Sequence, residues 1–250
     1  MEVHHHSHTS SPPAGRAGKK WTHYFWEFFM LFIAVTLGFF VENMREHYIE
    51  HKRGLQYIRS FVEDLKTDTA GFSNIIAQYK IKETQLDQLY LCYDSINRKV
   101  GSSYCMNNLY AATIGFQDLI FTDRTLQQLK NAGGLRLLEE QDADSIIIYD
   151  QFLRYLLKVE STSLQEMQTR VRNTRNSVFA YSEIMETSWA KGTQPGKVNL
   201  ISADKELLNR FFNEVMVYRF ACRFQFRQTI RLREKAVALI KFYSEKYHLK

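Results

Sequence analysis

Five residues of this sequence, "HYIEH" from His47 to His51, contain two histidines and a glutamate at a spacing that could hold a metal ion. The pattern is the H-x-x-E-H of inverted zinc peptidases, in which two histidines on one helix face bind Zn²⁺ and the glutamate acts as a base. A catalytic zinc needs a third protein ligand and an enclosed cleft, and Glu42 and Glu46 on the same helix cannot wrap the same ion. We therefore predict that His47 and His51 lie on a solvated helix face, with a structural or adventitious metal site and a peptidase as the alternatives.

Further histidines occur in the N-terminal stretch "MEVHHHSHTSSPPAGRAGKK", which is small, polar and proline-bearing. We expect residues 1–20 to be disordered. The tract could bind a metal, either as a purification tag interrupted by Ser7 or as a native tail, and its histidines are His4, His5, His6 and His8. Near the other end, "EKYH" is a single E-x-x-H motif, whereas di-iron bundles use two. No metal or other cofactor is therefore predicted.

Arginines recur at every fourth position near the C-terminal end, interleaved with phenylalanines. We call this set the arginine ladder; it consists of Arg219, Arg223, Arg227 and Arg231. Successive members differ by only about 40° around a helix, so they line one side of it. Such a stripe could dock an anionic polymer, a lipid headgroup or, in a cytoplasmic domain, nucleic acid. We favour an intramolecular stripe that faces acids of the same chain. The acids considered are Glu63, Asp64 and Asp68, or Glu139, Glu140, Asp142 and Asp144.

Other catalytic templates are missing from the sequence. It contains no G-x-S-x-G, no P-loop and no G-x-G-x-x-G, so we do not expect an enzyme. The three cysteines have no metal-binding spacing. Cys92 and Cys105 could pair in an oxidising compartment, and the odd count leaves at least one thiol free.

The segment that contains "HYIEH" also holds the most apolar stretch of the chain. Residues 24–41, "YFWEFFMLFIAVTLGFFV", include a single charge and approach the length that spans about 30 Å of hydrocarbon. An aromatic cluster lies at one end, where amphipathic rings favour the membrane interface; it consists of Trp21, His23, Tyr24 and Trp26. Bulky residues follow the stretch in place of a small-x-small cleavage site. We therefore predict an uncleaved signal anchor over residues 21–42.

The charge inside this stretch is Glu27, which lies less than one turn from its N-terminal end. A carboxylate at that depth can reach water and faces the positive end of the helix dipole. The alternative is that Glu27 pairs with a polar or basic group of a partner membrane protein. Its shallow position does not favour a proton relay.

Flanking charge predicts the orientation of the anchor. Arg16, Lys19 and Lys20 precede the span, and the same number of basic residues follow it, but acidic residues dilute the second group. The positive-inside rule then favours an N-terminus in the cytoplasm and the bulk of the chain outside it.

Beyond the anchor, apolar residues step by three and four as in a coiled-coil-like helix. The series is Leu55, Ile58, Val62, Leu65, Thr69, Phe72, Ile76, Tyr79, Leu86, Tyr90 and Tyr93, and only Glu83 breaks it. Two further long helices, from about Asp142 and from Ser202 or Asp204, and a short helix that Gly133 and Gly134 terminate complete the prediction. The fold class is all-α, with residues 43–250 as an elongated antiparallel helical bundle.

The stretches "HYFWEFFMLFIAVTLGFFVENMREHYIEHKRGLQYIRSFVEDL" and "TDRTLQQLKNAGGLRLL" resemble a family of bacterial membrane proteins of unknown function. Its members have one N-terminal span followed by a helical domain. The resemblance implies a bacterial membrane location, which we take to be the inner membrane with the bulk of the chain in the periplasm. It implies no activity, cofactor or site residue.

These features predict a membrane-anchored, non-enzymatic helical scaffold or interaction protein. The alternative is a ligand- or metal-binding sensory bundle at the membrane surface. The expected partners are the lipid bilayer and either a membrane protein or a second copy of the chain. An anionic surface also suits the net charge of +6, whereas nucleic acid is not an expected partner. The residues predicted to contact partners are Glu27, Arg219, Arg223, Arg227 and Arg231.

Overall fold

A computed structural model describes residues 17–97, 112–113, 115, 118–178, 200–202 and 204–249. The regular elements in these residues are all helical, so the predicted all-α fold class is confirmed. The helices are α1 (Ala17–Asn97), α2 (Arg124–Asn131), α3 (Glu140–Val159), α4 (Gln165–Val178) and α5 (Lys205–Lys246), with a 3₁₀ helix at Gly134–Leu137 and a π-helical turn at Glu160–Leu164. The predicted loop "KGTQPGKVN", most of the segment after α1 and the N-terminal histidines lie outside the described residues.

The chain divides into two compact units, Met1–Lys52 and Arg53–Lys250. In the first unit, α1 already includes Ala17, so it begins before the predicted anchor and overlaps the tail that was expected to be disordered. From Trp21 to Val41 the helix exposes apolar side chains on all sides. This helix is long and apolar enough to cross a membrane.

The second unit contains a first core cluster, in which α1 packs with α2, α3 and the C-terminal half of α5. Phe61 of α1 meets the rings of Tyr149 and Tyr243 edge to face, at centroid distances of 6.1 and 6.2 Å. Each such aromatic pair contributes about 0.5–1.5 kcal/mol beyond the burial of its area. Phe61 therefore joins three helices.

A second core cluster joins the next turns of α1 to α4 and the N-terminal half of α5. Its buried residues include Leu86, Leu89, Leu164, Val171, Val178, Phe211, Val215 and Tyr218. Because α1 packs against several neighbours, its buried surface is wider than the predicted heptad series. Phe61, Ile75 and Leu89 lie outside that series and are nevertheless buried.

Local sequence fixes where several helices begin and end. The Asp204 carboxylate accepts hydrogen bonds from the backbone N–H groups of Glu206 and Leu207 at 2.7 and 3.1 Å, which makes it the predicted N-cap of α5. Asp123 precedes α2 without capping it through its side chain. After α2, Gly133 takes a left-handed φ of 67°, a conformation that glycine adopts without strain.

A π-helical turn at Glu160–Leu164 connects α3 to α4. It holds the buried carboxylate of Glu160, which accepts hydrogen bonds from the backbone N–H of Leu119 at 2.9 Å and the side-chain amide of Gln225 at 3.4 Å. The carboxylate thereby connects this turn to the segment before α2 and to α5. Turns of this kind occur often at functional sites.

Candidate protein-interaction surface

The arginine ladder lies on α5, and the two sides of this helix differ sharply. One side is buried throughout its length, at Phe211, Tyr218, Thr229 and Ala236 among others. At 100° per residue these positions share one arc, so the opposite side of α5 must face away from the core. The ladder drifts around the helix by about 40° per step. Its first two members therefore lie nearer the core than its last two.

The first half of the ladder is intramolecular. Arg219 donates from Nε to the carboxylate of Asp87 at 2.5 Å, and Arg223 forms an ion pair with Glu83 and a longer contact with Asp87 at 3.9 Å. The hydrogen bond with Glu83 raises the pKa of the Arg223 guanidinium. Arg219 and Arg223 thus connect α5 to α1.

The predicted acidic partners of the ladder were wrong in this half. Asp64 instead accepts from Arg124 at 2.7 Å, and Glu139 and Asp142 bind Lys246 at 2.8 and 2.7 Å. Those carboxylates lie beside α2 and beside the last turn of α5, away from the ladder. The sequence feature that could have identified the true partner was Glu83, the polar residue that interrupts the heptad series and pairs with Arg223.

The second half of the ladder is exposed. Arg227 has no ion-pair partner among the described residues, and Arg231 contacts only the side chain of Gln228, at 3.5 Å. Beside them, Val217 and Phe220 are 50% and 57% exposed, and Phe224 is 38% exposed. We call these five residues the outer face of α5. They fall within an arc of about 80°.

Charge is concentrated on the same helix. α5 contains ten Lys and Arg residues against four Asp and Glu residues, a difference of +6 that equals the formal net charge of the whole chain. The formal charges of the residues outside α5 therefore sum to zero. Part of the charge of α5 is neutralised within the chain, because Arg219, Arg223 and Lys246 pair with carboxylates of other elements.

An apolar groove adjoins the outer face where α5 packs on α1. Leu86 and Leu89 of α1 and Phe212 and Met216 of α5 line it, with a volume of about 230 Å³. Met216 is itself exposed and lies one residue before Val217. Polar side chains also line the groove, namely Asn209, Asn213 and Arg219. The groove is therefore an apolar pocket with a polar rim on the side of α5 next to the outer face.

The other residues predicted to bind metal or partners lie elsewhere. His47 and His51 are exposed on α1, and among residues 17–97, 118–178 and 204–249 no cluster of three or more His, Cys, Asp or Glu side chains could hold a metal ion. His4, His5, His6 and His8 lie outside the described residues.

Glu27 has a neighbour on its own helix. The Nδ1 atom of His23 lies 3.5 Å from Oε1 of Glu27, one helical turn earlier, and both side chains are exposed. This neighbour is compatible with either predicted role of Glu27, because an exposed i,i+4 contact of this kind is worth little energy.

Buried carboxylates organise the second unit, and sequence analysis did not identify them as buried. Asp64 accepts from Arg124 and from both the backbone and the hydroxyl of Thr125. Asp68 accepts from the backbone N–H of Thr122 at 2.7 Å, and its burial raises its pKa to about 6. Burial likewise raises the pKa of Glu160. These groups fix the segment before α2 and the π turn; they are not arranged around one substrate-sized site.

One further cavity lies next to buried polar groups. It has a volume of about 240 Å³ and is lined by Ile75, Tyr79, Lys82 and Gly115 among others. Lys82 donates to the backbone carbonyl of Ala112 at 3.2 Å, and burial lowers the pKa of its amine.

The described cysteines differ in state. Cys92 is disulfide-bonded, whereas Cys222 is a free, buried thiol whose pKa is raised by burial to about 12. A thiol in this state is a poor nucleophile. Cys105, the partner predicted for Cys92, lies outside the described residues.

Comparison with protein families, with curated proteins and with solved structures finds no match to this chain. Within the described residues the fold is all-helical, and one helix there is long and apolar enough to span a membrane. Inferences about function therefore depend on the surfaces and contacts described above.

Proposed function

We propose that this protein is a membrane-anchored, non-enzymatic interaction protein that holds a helical domain beside the membrane and recruits partners to it. The observation that carries this proposal is the contrast on α5 between a buried side and an exposed apolar and basic side. Neighbouring exposed apolar residues with polar residues at their edge, such as Phe220 and Phe224 beside the two arginines, are a feature of interaction sites.

The proposed arrangement is an antiparallel bundle. Contacts between α1 and α5 run in opposite order along the two helices, since Ser73, Glu83 and Asp87 meet Arg233, Arg223 and Arg219 respectively. This order supports two helices that point in opposite directions.

The proposed location of the domain is the periplasmic side of a bacterial inner membrane. The flanking charges favour a cytoplasmic N-terminus. The disulfide at Cys92 supports the same orientation, because disulfides persist in oxidising compartments and are rare in the cytosol.

The test is membrane topology. A reporter that is active only outside the cytoplasm, fused after Lys250, should be active, and the same reporter fused before Met1 should be inactive. The chain should also stay with the membrane after alkaline extraction. An active N-terminal fusion with an inactive C-terminal one would reverse the orientation, and extraction into the soluble fraction would contradict the anchor.

The second candidate function is a ligand-binding sensory bundle, which the cavity beside Tyr79 and Lys82 favours. A small molecule that remains bound through purification and is lost in Gly115→Leu, which adds a bulky side chain at a residue of the cavity lining, would support it. Native mass spectrometry of the detergent-solubilised chain makes this measurement. Identical spectra for the wild type and the variant, with no added mass, would remove the candidate.

A further inference from the structure

The outer face of α5 has the spacing of a helix-packing seam. Its five residues, Val217, Phe220, Phe224, Arg227 and Arg231, follow one another in steps of three and four. This spacing keeps side chains along a line that a second helix can follow at close range.

The composition of this seam changes along its length. Its first three positions are apolar and exposed, and its last two are the arginines that have no carboxylate partner within the described residues. A helix that packs here would therefore need apolar residues opposite Phe220 and Phe224 and acidic residues opposite Arg227 and Arg231.

We propose that the outer face of α5 binds an acidic amphipathic helix of a partner protein. The inference rests on the proposed function and assigns the partner class to that surface. The partner presents apolar side chains at three-and-four spacing to Val217, Phe220 and Phe224. Its next two seam positions carry carboxylates that pair with Arg227 and Arg231. The groove beside Met216 accommodates side chains at the edge of the contact.

The two halves of the ladder have different roles in this proposal. Arg219 and Arg223 are engaged by Asp87 and Glu83 on α1, so they position α5. Arg227 and Arg231 recognise the partner. Of the four ladder arginines that were predicted to contact partners, only Arg227 and Arg231 keep that role in this proposal.

The experiment uses the full chain in nanodiscs of zwitterionic lipid and two synthetic helices of about four heptads. Both peptides have leucine at their seam positions, except that two successive positions are glutamate in one peptide and lysine in the other. The protein variant is Arg227→Glu with Arg231→Glu. The matched control is Arg59→Glu with Arg172→Glu, which makes the same change of charge at exposed positions on α1 and α4. Fluorescence anisotropy at low and moderate salt measures binding.

The wild type and the control should bind the glutamate peptide, and the double variant should bind it about tenfold more weakly or worse. The lysine peptide should show the reverse preference, and added salt should reduce both differences. Circular dichroism and the melting temperature should be unchanged by the double variant, because neither arginine packs in the core.

Three results would overturn the proposal. Equal binding of both peptides to the wild type would mean that only apolar contact matters. A dimer of the wild type that the double variant abolishes would assign the face to a second copy. If the wild type binds anionic vesicles but neither peptide, and the double variant no longer binds those vesicles, the face would be assigned to lipid. Alkaline extraction of the cell membranes from which the protein is purified reports on the anchor, so failure of the proposed function is distinguishable from failure of this inference.

Discussion

Two stretches of the single helix α1 use apolar residues in opposite ways. Between Trp21 and Val41 the helix is apolar on all sides and almost nothing is buried. Between Leu55 and Cys92 most of its apolar residues lie on one broad stripe that is buried against α2 to α5, and Ile81 is an exposed exception. The hydrocarbon of a bilayer surrounds a helix on all sides, whereas a protein core meets it on one. The distribution of apolar residues around the helix therefore distinguishes a stretch that is able to span a membrane from one that packs in a core.

The largest expected effect comes from a substitution within the buried stripe of α1. Phe61→Ala should destabilise the second unit by about 3–5 kcal/mol, because it leaves a cavity where three helices meet. Chemical denaturation of the detergent-solubilised chain, followed by circular dichroism, measures the free energy of unfolding. The matched control is Glu63→Ala, two residues along on the exposed side of α1, which should change stability by less than about 0.5 kcal/mol. A comparable loss in both variants would mean that α1 is not packed as described.

A charge placed in the exposed stretch should act on the membrane and not on the fold. Leu31→Arg, near the middle of the apolar stretch, should cost about 2.5–3.5 kcal/mol of insertion free energy and lower the fraction of chain that resists alkaline extraction. Ala70→Arg, on the exposed side of α1 in the second unit, introduces the same charge and should leave that fraction unchanged. If Leu31→Arg is retained like the wild type, the stretch is not a span.

The third effect depends on pH. Because the pKa of Asp68 is raised in the folded state to about 6, the folded form holds a proton that the unfolded form has lost between roughly pH 4 and pH 6. The contribution of this group to stability is therefore present below about pH 4 and lost as the pH rises through 6, a change of about 2–3 kcal/mol.

Asp68→Asn should flatten this part of the stability profile, since asparagine resembles the protonated acid at all pH values. Denaturation curves at several pH values between 4 and 7 make the comparison. Asp144→Asn, at an exposed position on α3, is the control and should keep the wild-type slope. A wild-type slope that survives in Asp68→Asn would assign the pH dependence to another group.

The smallest expected effect concerns Glu27, at the N-terminal end of the apolar stretch. Glu27→Gln should leave the alkaline-resistant fraction unchanged, because a carboxylate less than one turn inside the span reaches the interface. Glu27→Leu, which removes the polar group altogether, should behave in the same way. A clear gain of insertion in both variants would show that the carboxylate lies deeper than its position implies.

The sequence was sufficient for features that depend on neighbouring residues. Asp204 caps α5 because its side chain can reach the first free N–H groups, and that geometry is encoded within three residues. The breadth of the α1 stripe was not predictable in the same way. Whether Phe61 and Ile75 are buried depends on how many other helices pack on α1, which the period of a single helix does not specify.

The candidate surface was predicted in part. The spacing of the ladder placed its arginines along one helix, but spacing alone could not show that Arg219 and Arg223 meet Asp87 and Glu83, far away in sequence. The burial of Asp68 was not predictable either, since its hydrogen-bond partner Thr122 lies 54 residues away in sequence.

The π turn at Glu160–Leu164 determines where the chain can lose a residue without disturbing its core. Buried positions before it, Leu153, Leu156 and Glu160, advance by three and four, but the next step, to Leu164, is again four. The regular alternation then resumes through Val171 and Val178. The turn thus absorbs one supernumerary residue without rotating either flank. A one-residue deletion at Ser161, Thr162 or Ser163 should be tolerated, whereas the same deletion elsewhere between Glu140 and Val178 would shift the whole downstream helix out of phase with its core.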